Sequence, residues 1–365
     1  MLEPILEILV GIKDNLPTFL QFLGVIASMI LLHELGHFFA CRLFGVPVEE
    51  FGFGFPPRIT RMFTLRGTDY TLNWIPLGGF VRPRGEAQPE IEGGLAASKP
   101  LVRIGVYLAG PLLNLLAAVA IFATIYSHLG LPDMTVIQIQ EVVQNSPAAQ
   151  AGLMVGDTMV SINDQQANNY DVFQGEIAAN LGEEITIVYE RDGFISEVSL
   201  VPREDPPEDQ GAIGILMTSP IQEINWFQAL PFAASATGQY SVALMKLPGQ
   251  LLLGSADPAG RPVGYKGMYD TFAAARDGLF LPGIPVDINV LYFFFMITTS
   301  LGVLNLLPIP ALDGGRILFV LPELIIGRKI PQQVQNVVNL IGFISVILLL
   351  IYINILDFIS PVQLP

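Results

Sequence analysis

The sequence is poor in cysteine, in basic residues and in charge as a whole. One Cys in 365 residues excludes a disulfide framework and a zinc cluster built from thiolates. Charged residues make up 14%, against about 25% in ordinary soluble domains. Lys+Arg 18 against Asp+Glu 33 leaves a net charge of −15 with no basic run, which argues against nucleic acid as a partner. With 52% hydrophobic residues and a mean hydropathy of +0.54, the chain is predicted to be a membrane protein.

Long apolar runs indicate how the chain crosses the membrane. A transmembrane helix needs about 20 mainly apolar residues. We predict four spans, at residues 16–44, 101–128, 288–307 and 334–356. A fifth apolar stretch, residues 221–253, is interrupted by Pro231, Pro248 and several polar side chains, so we predict that it lies at the membrane interface. The predicted fold class is a polytopic α-helical membrane protein with four transmembrane helices.

The distribution of charge predicts the orientation of these spans. Basic residues cluster around the connections between spans one and two and between spans three and four, which favours the cytoplasmic side for both. Residues 129–287 hold six basic and twenty acidic residues. This long segment and both termini are therefore predicted to lie outside the cytoplasm.

Two soluble-type features interrupt the membrane segments. Residues 59–65 and 70–75, joined by a turn at 66–69, have the pattern of a β-hairpin. Its apolar, aromatic character suggests a sheet that dips into the membrane edge, although composition alone is equally compatible with a plain cytoplasmic hairpin. The acidic segment between spans two and three contains predicted strands and two helices, one of them N-capped by Ser146, and these form a module of about 80 residues.

The first predicted span carries the motif His33-Glu34-Leu35-Gly36-His37. Residues four apart share one helix face, so both imidazoles can bind one ion, while Glu34 beside them can accept a proton from the attacking water. A pair of interfacial histidines with a snorkelling glutamate is the alternative. Three ionisable residues in a span cost about 2.5 to 3.5 kcal/mol each on insertion scales, which favours a divalent cation as their partner.

A catalytic zinc site needs a third protein ligand. Cys41 lies eight residues beyond His33, about 12 Å along a helix, and is excluded because ligands must converge. The run Asn305-Leu306-Leu307-Pro308-Ile309-Pro310-Ala311-Leu312-Asp313-Gly314-Gly315 breaks the third span just before Asp313. A helix-ending turn capped by Asp313 is the alternative. With four spans, helices one and three run in the same direction, so Asp313 reaches the depth of both histidines.

The HELGH motif on span one and the NLLPIPALDGG run on span three resemble the site-2 protease family of intramembrane zinc metalloproteases. The resemblance implies one Zn²⁺ held by His33, His37 and Asp313, with Glu34 as general base and acid. It also implies that Asn305 holds the substrate backbone or the developing oxyanion. The run from Gly110 to Asn114 resembles the family's small-residue motif on the second span, and we interpret Asn114 as structural.

The acidic module resembles a PDZ domain in the permuted bacterial arrangement, and members of this kind resemble the regulator of sigma-E type. Only one such module is present, so a filter built from two PDZ domains is not expected. By the same resemblance, Ile213, Gly214 and Ile215 lie on a carboxylate-binding strand that could capture a chain end; a closing strand without a ligand is the alternative. The predicted division of the chain is 1–129 membrane core, 130–220 PDZ-like domain, 221–287 interfacial amphipathic linker and 288–365 membrane core.

The family resemblance implies an intramembrane protease of a cell or inner membrane that cuts transmembrane segments of single-span proteins already trimmed on the outer side. Anti-sigma factors and signal-peptide remnants are the expected substrates, and the lipid bilayer is a partner. The sequence has two alternative interpretations. One is a non-catalytic, PDZ-bearing binding protein with a structural metal. The other is a metal transporter, which is disfavoured because spans two and four hold almost no ionisable side chains.

Overall fold

A computed structural model describes residues 3–207, 210–252 and 262–360 of the chain. Its helices are α1 (Glu3–Leu43), α2 (Pro100–Leu129), α3 (Pro147–Gln150), α4 (Tyr170–Ala179), α5 (Trp226–Leu252), α6 (Tyr265–Arg276), α7 (Val286–Leu306), α8 (Asp313–Ile326) and α9 (Gln332–Ile359). Its strands are β1 (Val48–Leu65), β2 (Thr68–Pro83), β3 (Leu131–Pro132), β4 (Ile137–Val142), β5 (Thr158–Ile162), β6 (Gln165–Gln166), β7 (Ile185–Arg191), β8 (Phe194–Leu200), β9 (Ile215–Thr218) and β10 (Ile221–Gln222). These elements form two compact units, residues 126–226 and the remainder.

Four helices among the described residues are long and apolar enough to cross a membrane: Leu16–Leu43 of α1, α2, α7 and α9. They coincide with the four predicted spans, which confirms the polytopic fold class. The apolar stretch after residue 221 forms the helix α5, with Pro231 and Pro248 inside it, which is long enough for a span but does not reach the hydropathy expected of one.

The unit outside residues 126–226 contains the four candidate spans and is called the membrane unit here. Its described residues include two clusters of buried apolar side chains. One joins α1 to α6 and α7 through Phe22, Phe272 and Phe293. The other packs the C-terminal end of α1 against α2, α8 and the start of β1, and Cys41 is fully buried within it. Cys41 is therefore one of the small side chains that fill this cluster.

The predicted hairpin is much longer than the sequence indicated. Each strand bends and pairs twice, so that β1 and β2 together make a sheet of four segments, at residues 58–65, 68–75, 48–55 and 79–83 in spatial order. One row across this sheet is Phe63, Tyr70, Phe51 and Val81. The turn is also shorter than predicted, since only Arg66 and Gly67 separate the two strands. The segments 48–55 and 79–83 were missed because glycines and prolines in and beside them interrupt their alternating pattern.

The sheet lies along the C-terminal half of α1. A Cβ built on Gly78 would lie 2.4 Å from the side chain of Ile30, and one built on Gly79 would lie 3.1 Å from that of Leu31. At the opposite end, Arg42 in the last turn of α1 donates to the carbonyl of Arg66 and the hydroxyl of Thr68. The strands therefore run beside the helix from its C-terminal end to a level just before the HELGH motif.

The second unit is a PDZ-like module with its own core. Its sheet has the order β8-β7-β5-β4-β9, β6 pairs with β5, and the core includes Phe173 of α4 and Ile137 of β4. Ser146 caps α3 as predicted, since its hydroxyl accepts a hydrogen bond from the backbone N–H of Ala149. The last strand of this sheet begins at Ile215.

Candidate active site

Helix α1 presents the HELGH motif within its membrane-spanning part. The Nε2 atoms of His33 and His37 lie 3.2 Å apart, as expected for residues one turn apart on one helix face. Their side chains are only 7% and 12% exposed. The two imidazoles therefore point a pair of nitrogen donors at one buried position.

Asp313 reaches the same position from the other half of the chain. Helix α7 ends at Leu306, a short loop follows, and Asp313 is the first residue of α8. Both glycines after it are needed for this tight turn, because a Cβ on Gly314 or Gly315 would lie 2.2 Å from a loop carbonyl oxygen. Asp313 Oδ2 lies 3.0 Å from His33 Nε2 and 3.2 Å from His37 Nε2.

The three donor atoms fit a tetrahedral metal ion. Nitrogen and oxygen ligands bind zinc at about 2.0 to 2.2 Å, which places the ligand atoms of a tetrahedral site about 3.3 Å from one another. The observed separations are 3.0 to 3.2 Å. Among the described residues, His33, His37 and Asp313 form a group of potential ligands within 4.8 Å of one another. Two imidazoles and one carboxylate leave the fourth corner for water or substrate, which is the donor set of a catalytic zinc centre.

Glu34 lies beside this donor set and contacts the sheet. Its Oε2 accepts a hydrogen bond from the backbone N–H of Val81 at 3.0 Å. The segment 79–83 pairs on one side with residues 48–55, where Val81 lies opposite Phe51. The N–H of Val81 points away from this pairing, towards α1. The carboxylate is thus held at the junction between the metal position and a free sheet edge.

A cavity of about 260 Å³ connects these groups. Its walls include His33, Glu34 and His37 of the first motif and Asn305 and Asp313 of the second, together with polar side chains from outside the motifs: Glu86, Tyr107 and Arg316. Arg316, one turn after Asp313, forms an ion pair with Glu86. The cavity is large enough for water and a short stretch of extended peptide, both of which peptide hydrolysis requires.

Asn305 lines the cavity as the family resemblance implied. Its Nδ2 donates to the carbonyl of Leu301 in its own helix at 2.9 Å. The second N–H of this amide and its oxygen are left for other contacts. These are the groups that the predicted role of Asn305, holding the substrate backbone or the oxyanion, would use.

One face of α2 forms the back wall of the site, and this face was missed in the sequence. Val106, Gly110 and Asn114 follow one another at intervals of four residues. The carbonyl of Val106 lies 2.8 Å from His37 Nδ1, and Asn114 Nδ2 lies 3.4 Å from His33 Nδ1. A Cβ on Gly110 would lie 2.4 Å from His37 Nε2. The spacing was visible in the sequence, but nothing there indicated that this face meets the histidines.

Ile213, Gly214 and Ile215 lie in the PDZ-like module. Gly214 has a φ of +74° and closes a turn with Gly211, so only Ile215 belongs to the strand β9. Ile213 is buried in the module core, and its carbonyl accepts a hydrogen bond from Ala148. β9 is the edge strand beside β4, which is where an added peptide strand would pair.

Comparison with known proteins relates this chain to metalloproteases. Residues 21–349 match the model of peptidase family M50. A candidate zinc metalloprotease of Clostridium acetobutylicum is 32% identical over 345 residues, covering 92% of this chain and 95% of that protein. A candidate zinc metalloprotease of Campylobacter jejuni is 32% identical, with 95% of each chain covered. The probable protease Eep of Enterococcus faecalis is 26% identical, covering 92% of this chain and 97% of its own.

Among solved structures, the PDZ domain of an SdrC-like protein from Listeria monocytogenes is similar to 22% of this chain, and 85% of that domain is covered. The identity is 20% and the TM-score is 0.20. The match to the M50 model spans both halves of the membrane unit, including HELGH and Asp313. The chain belongs to peptidase family M50, the site-2 protease family, and is a membrane metalloprotease.

Proposed function

We propose that the protein is an intramembrane zinc protease that cuts transmembrane segments of single-span proteins already trimmed on the outer side. The observation that carries this proposal is the meeting of HELGH and Asp313 within a membrane-spanning helix bundle, beside a polar cavity and a free sheet edge. Each chain would hold one zinc ion through His33, His37 and Asp313.

The residues around the cavity divide the chemistry between them. When bound, zinc would polarise both the attacking water and the scissile carbonyl. Glu34 accepts the proton of that water and returns it to the leaving amine. The Val81 N–H keeps Glu34 Oε2 in place. Asn305, on the cavity wall, donates to the substrate carbonyl as negative charge develops on its oxygen.

The substrate backbone is proposed to pair with the outer edge of residues 79–83. A transmembrane helix cannot be hydrolysed as it stands, because its amides are bonded to one another and hidden from water. A free sheet edge offers replacement hydrogen bonds to an unwound segment. Since Val81 lies on that edge and contacts Glu34, a paired peptide would pass directly beside the catalytic carboxylate.

The wider setting follows from the charge pattern. The basic connections support a site towards the cytoplasmic face of a cell or inner membrane, with the acidic PDZ-like module and both termini outside the cytoplasm. The turn before β9 is proposed to take a C-terminal carboxylate of a partner. Anti-sigma factors and signal-peptide remnants are the candidate substrates.

The base can be tested with Glu34→Gln, which keeps the size of the side chain and removes its charge. The variant is expected to bind zinc normally and to lose cleavage of a model transmembrane substrate in detergent by at least about 100-fold. Glu49→Gln is the matched control, since Glu49 is exposed on β1 and outside the site. Cleavage by Glu34→Gln at the native rate would remove Glu34 from the mechanism.

The third ligand can be tested with Asp313→Ala. We expect the variant to lose stoichiometric zinc, measured as metal per purified chain after dialysis. Asp287→Ala, at the exposed first turn of α7, is the control and should keep its zinc. Full zinc occupancy in Asp313→Ala would point to a different ligand. Native protein that holds its zinc but cuts no membrane substrate would favour the alternative, a binding protein with a structural metal.

A further inference from the structure

We infer that Asn114 is a positioning residue for the metal site: its side-chain carbonyl accepts a hydrogen bond from His33 Nδ1–H and so keeps His33 Nε2 directed at the ion. This inference deepens the proposed function and rests on it. Asn114 lies on the second span, about four turns into α2, and its side chain has a hydrogen bond to His33 but none to Glu34 or to residues 79–83 in the described structure.

The first step concerns the histidine itself. His33 Nε2 faces His37 Nε2 and Asp313 Oδ2, so this nitrogen is the one that would bind a metal. A neutral imidazole that offers Nε2 as a ligand carries its hydrogen on Nδ1. That N–H needs an acceptor inside the protein, because a buried donor without a partner is costly.

Asn114 is placed to supply the acceptor. Its amide lies 3.4 Å from His33 Nδ1, and its side chain is completely buried. With the amide turned so that Nδ2 faces His33, Oδ1 has no hydrogen-bond partner among the described residues. The two ends of a carboxamide have the same shape, so their assignment follows from the hydrogen bonds they make. A donor on His33 Nδ1 requires the oxygen, not the nitrogen, to face it.

The neighbouring histidine shows the same arrangement with a backbone group. His37 Nδ1 lies 2.8 Å from the carbonyl of Val106, two turns earlier on the same face of α2. One helix face thus provides an acceptor to each imidazole, and Gly110 between them leaves room for both rings. Metal-binding histidines commonly donate their other ring N–H in this way, which fixes ring orientation. Of the two acceptors, only that of Asn114 can be removed by substitution.

A nearby hydroxyl provides the control for a structural role. Thr298 of α7 is fully buried and donates to the backbone carbonyl of Asn114 at 3.3 Å, so it links α7 to α2 without using the Asn114 side chain. Thr298→Val removes that link and keeps the volume. If Asn114 mattered only for helix packing, Thr298→Val and Asn114→Leu should have similar effects.

The experiment measures zinc affinity of the full-length protein in detergent by competition with a chelator, using the metal alone. Asn114→Leu is expected to weaken zinc binding by about 10- to 100-fold. Asn114→Asp keeps an acceptor at the same position and should stay within about threefold of the native affinity, as should Thr298→Val. Substituting Co²⁺ for zinc should give an altered visible spectrum in Asn114→Leu only.

Native zinc affinity in Asn114→Leu would overturn the inference. So would an equal loss in Asn114→Asp and Asn114→Leu, because the acceptor would then not be what matters. Should Asn114→Leu fail to fold, Asn114→Ala removes the same acceptor with a smaller side chain, and native zinc affinity in that variant, or lost affinity in Asn114→Asp, would overturn the inference. These readouts do not require proteolysis. Failure of the proposed function would appear as native protein that holds zinc yet cuts nothing, which leaves the affinity comparison intact.

Discussion

Gly110→Ala should disable the metal site by adding a single methyl group. The new Cβ would lie 2.4 Å from His37 Nε2 and 2.9 Å from His33 Nε2. Ordinary contact begins near 3.4 Å, so His37 Nε2 must retreat by about 1 Å. Metal–ligand distances tolerate changes of only about 0.2 Å. Both imidazoles are therefore pushed off their common position by several times what a bound ion allows.

The helices have little freedom to absorb this change. A Cβ on Gly36 would lie 2.3 Å from the carbonyl oxygen of Ala109, which shows that α1 and α2 touch backbone to backbone beside the site. Displacing a ligand should cost at least as much as losing a supporting contact, so we expect zinc affinity to fall by about 100-fold or more, or about 2.8 kcal/mol.

The assay is chelator competition for zinc by Gly110→Ala in detergent, together with thermal unfolding. Gly24→Ala is the matched control, because nothing lies within 4 Å of a Cβ at Gly24 on α1. Alanine favours a helix over glycine by about 1 kcal/mol, so helix stability alone would improve in both variants. Native zinc affinity in Gly110→Ala would show that the imidazoles do not lie where this geometry places them.

Three further outcomes are expected. Val81→Pro removes the N–H that donates to Glu34, and because a hydrogen bond to a charged group is lost, the cleavage rate should fall by about 10- to 100-fold. Zinc affinity should stay native, since an edge position tolerates proline. Native cleavage would contradict the contact. Trp74 is an apolar side chain that is 67% exposed, so its fluorescence should be quenched by brominated lipid once the other tryptophan has been replaced. Quenching only by a water-soluble agent would place the hairpin outside the bilayer. Asp157→Asn breaks a two-point contact with Arg191 at 2.6 and 2.7 Å and should lower the Tm of the PDZ-like module by about 5 °C or more. The Asp157 hydrogen bond raises the pKa of Arg191, so the pair should lose its contribution only at pH values above about 12.5, and a loss near neutral pH would refute this.

Local signals in the sequence predicted the membrane unit well. Hydrophobic length alone marked the four spans, because a helix must be long and apolar enough to satisfy its backbone within lipid. The pairing of His33 and His37 also follows from local geometry, since residues four apart on a helix are neighbours. The strands of the hairpin were underestimated because their bends depend on which segments they pair with.

The sequence alone showed how many spans the chain has, that HELGH lies on the first of them, and which donor types could meet a metal. The folded structure was needed to show that Asp313 joins His33 from 280 residues away, that Val81 contacts Glu34, and that Asn114 faces His33. The physical reason is that helical spacing is a local property of the chain. Which helix faces and sheet edges meet is decided by packing between distant segments, and the close approach allowed by Gly36 and Gly110 has no periodic signature.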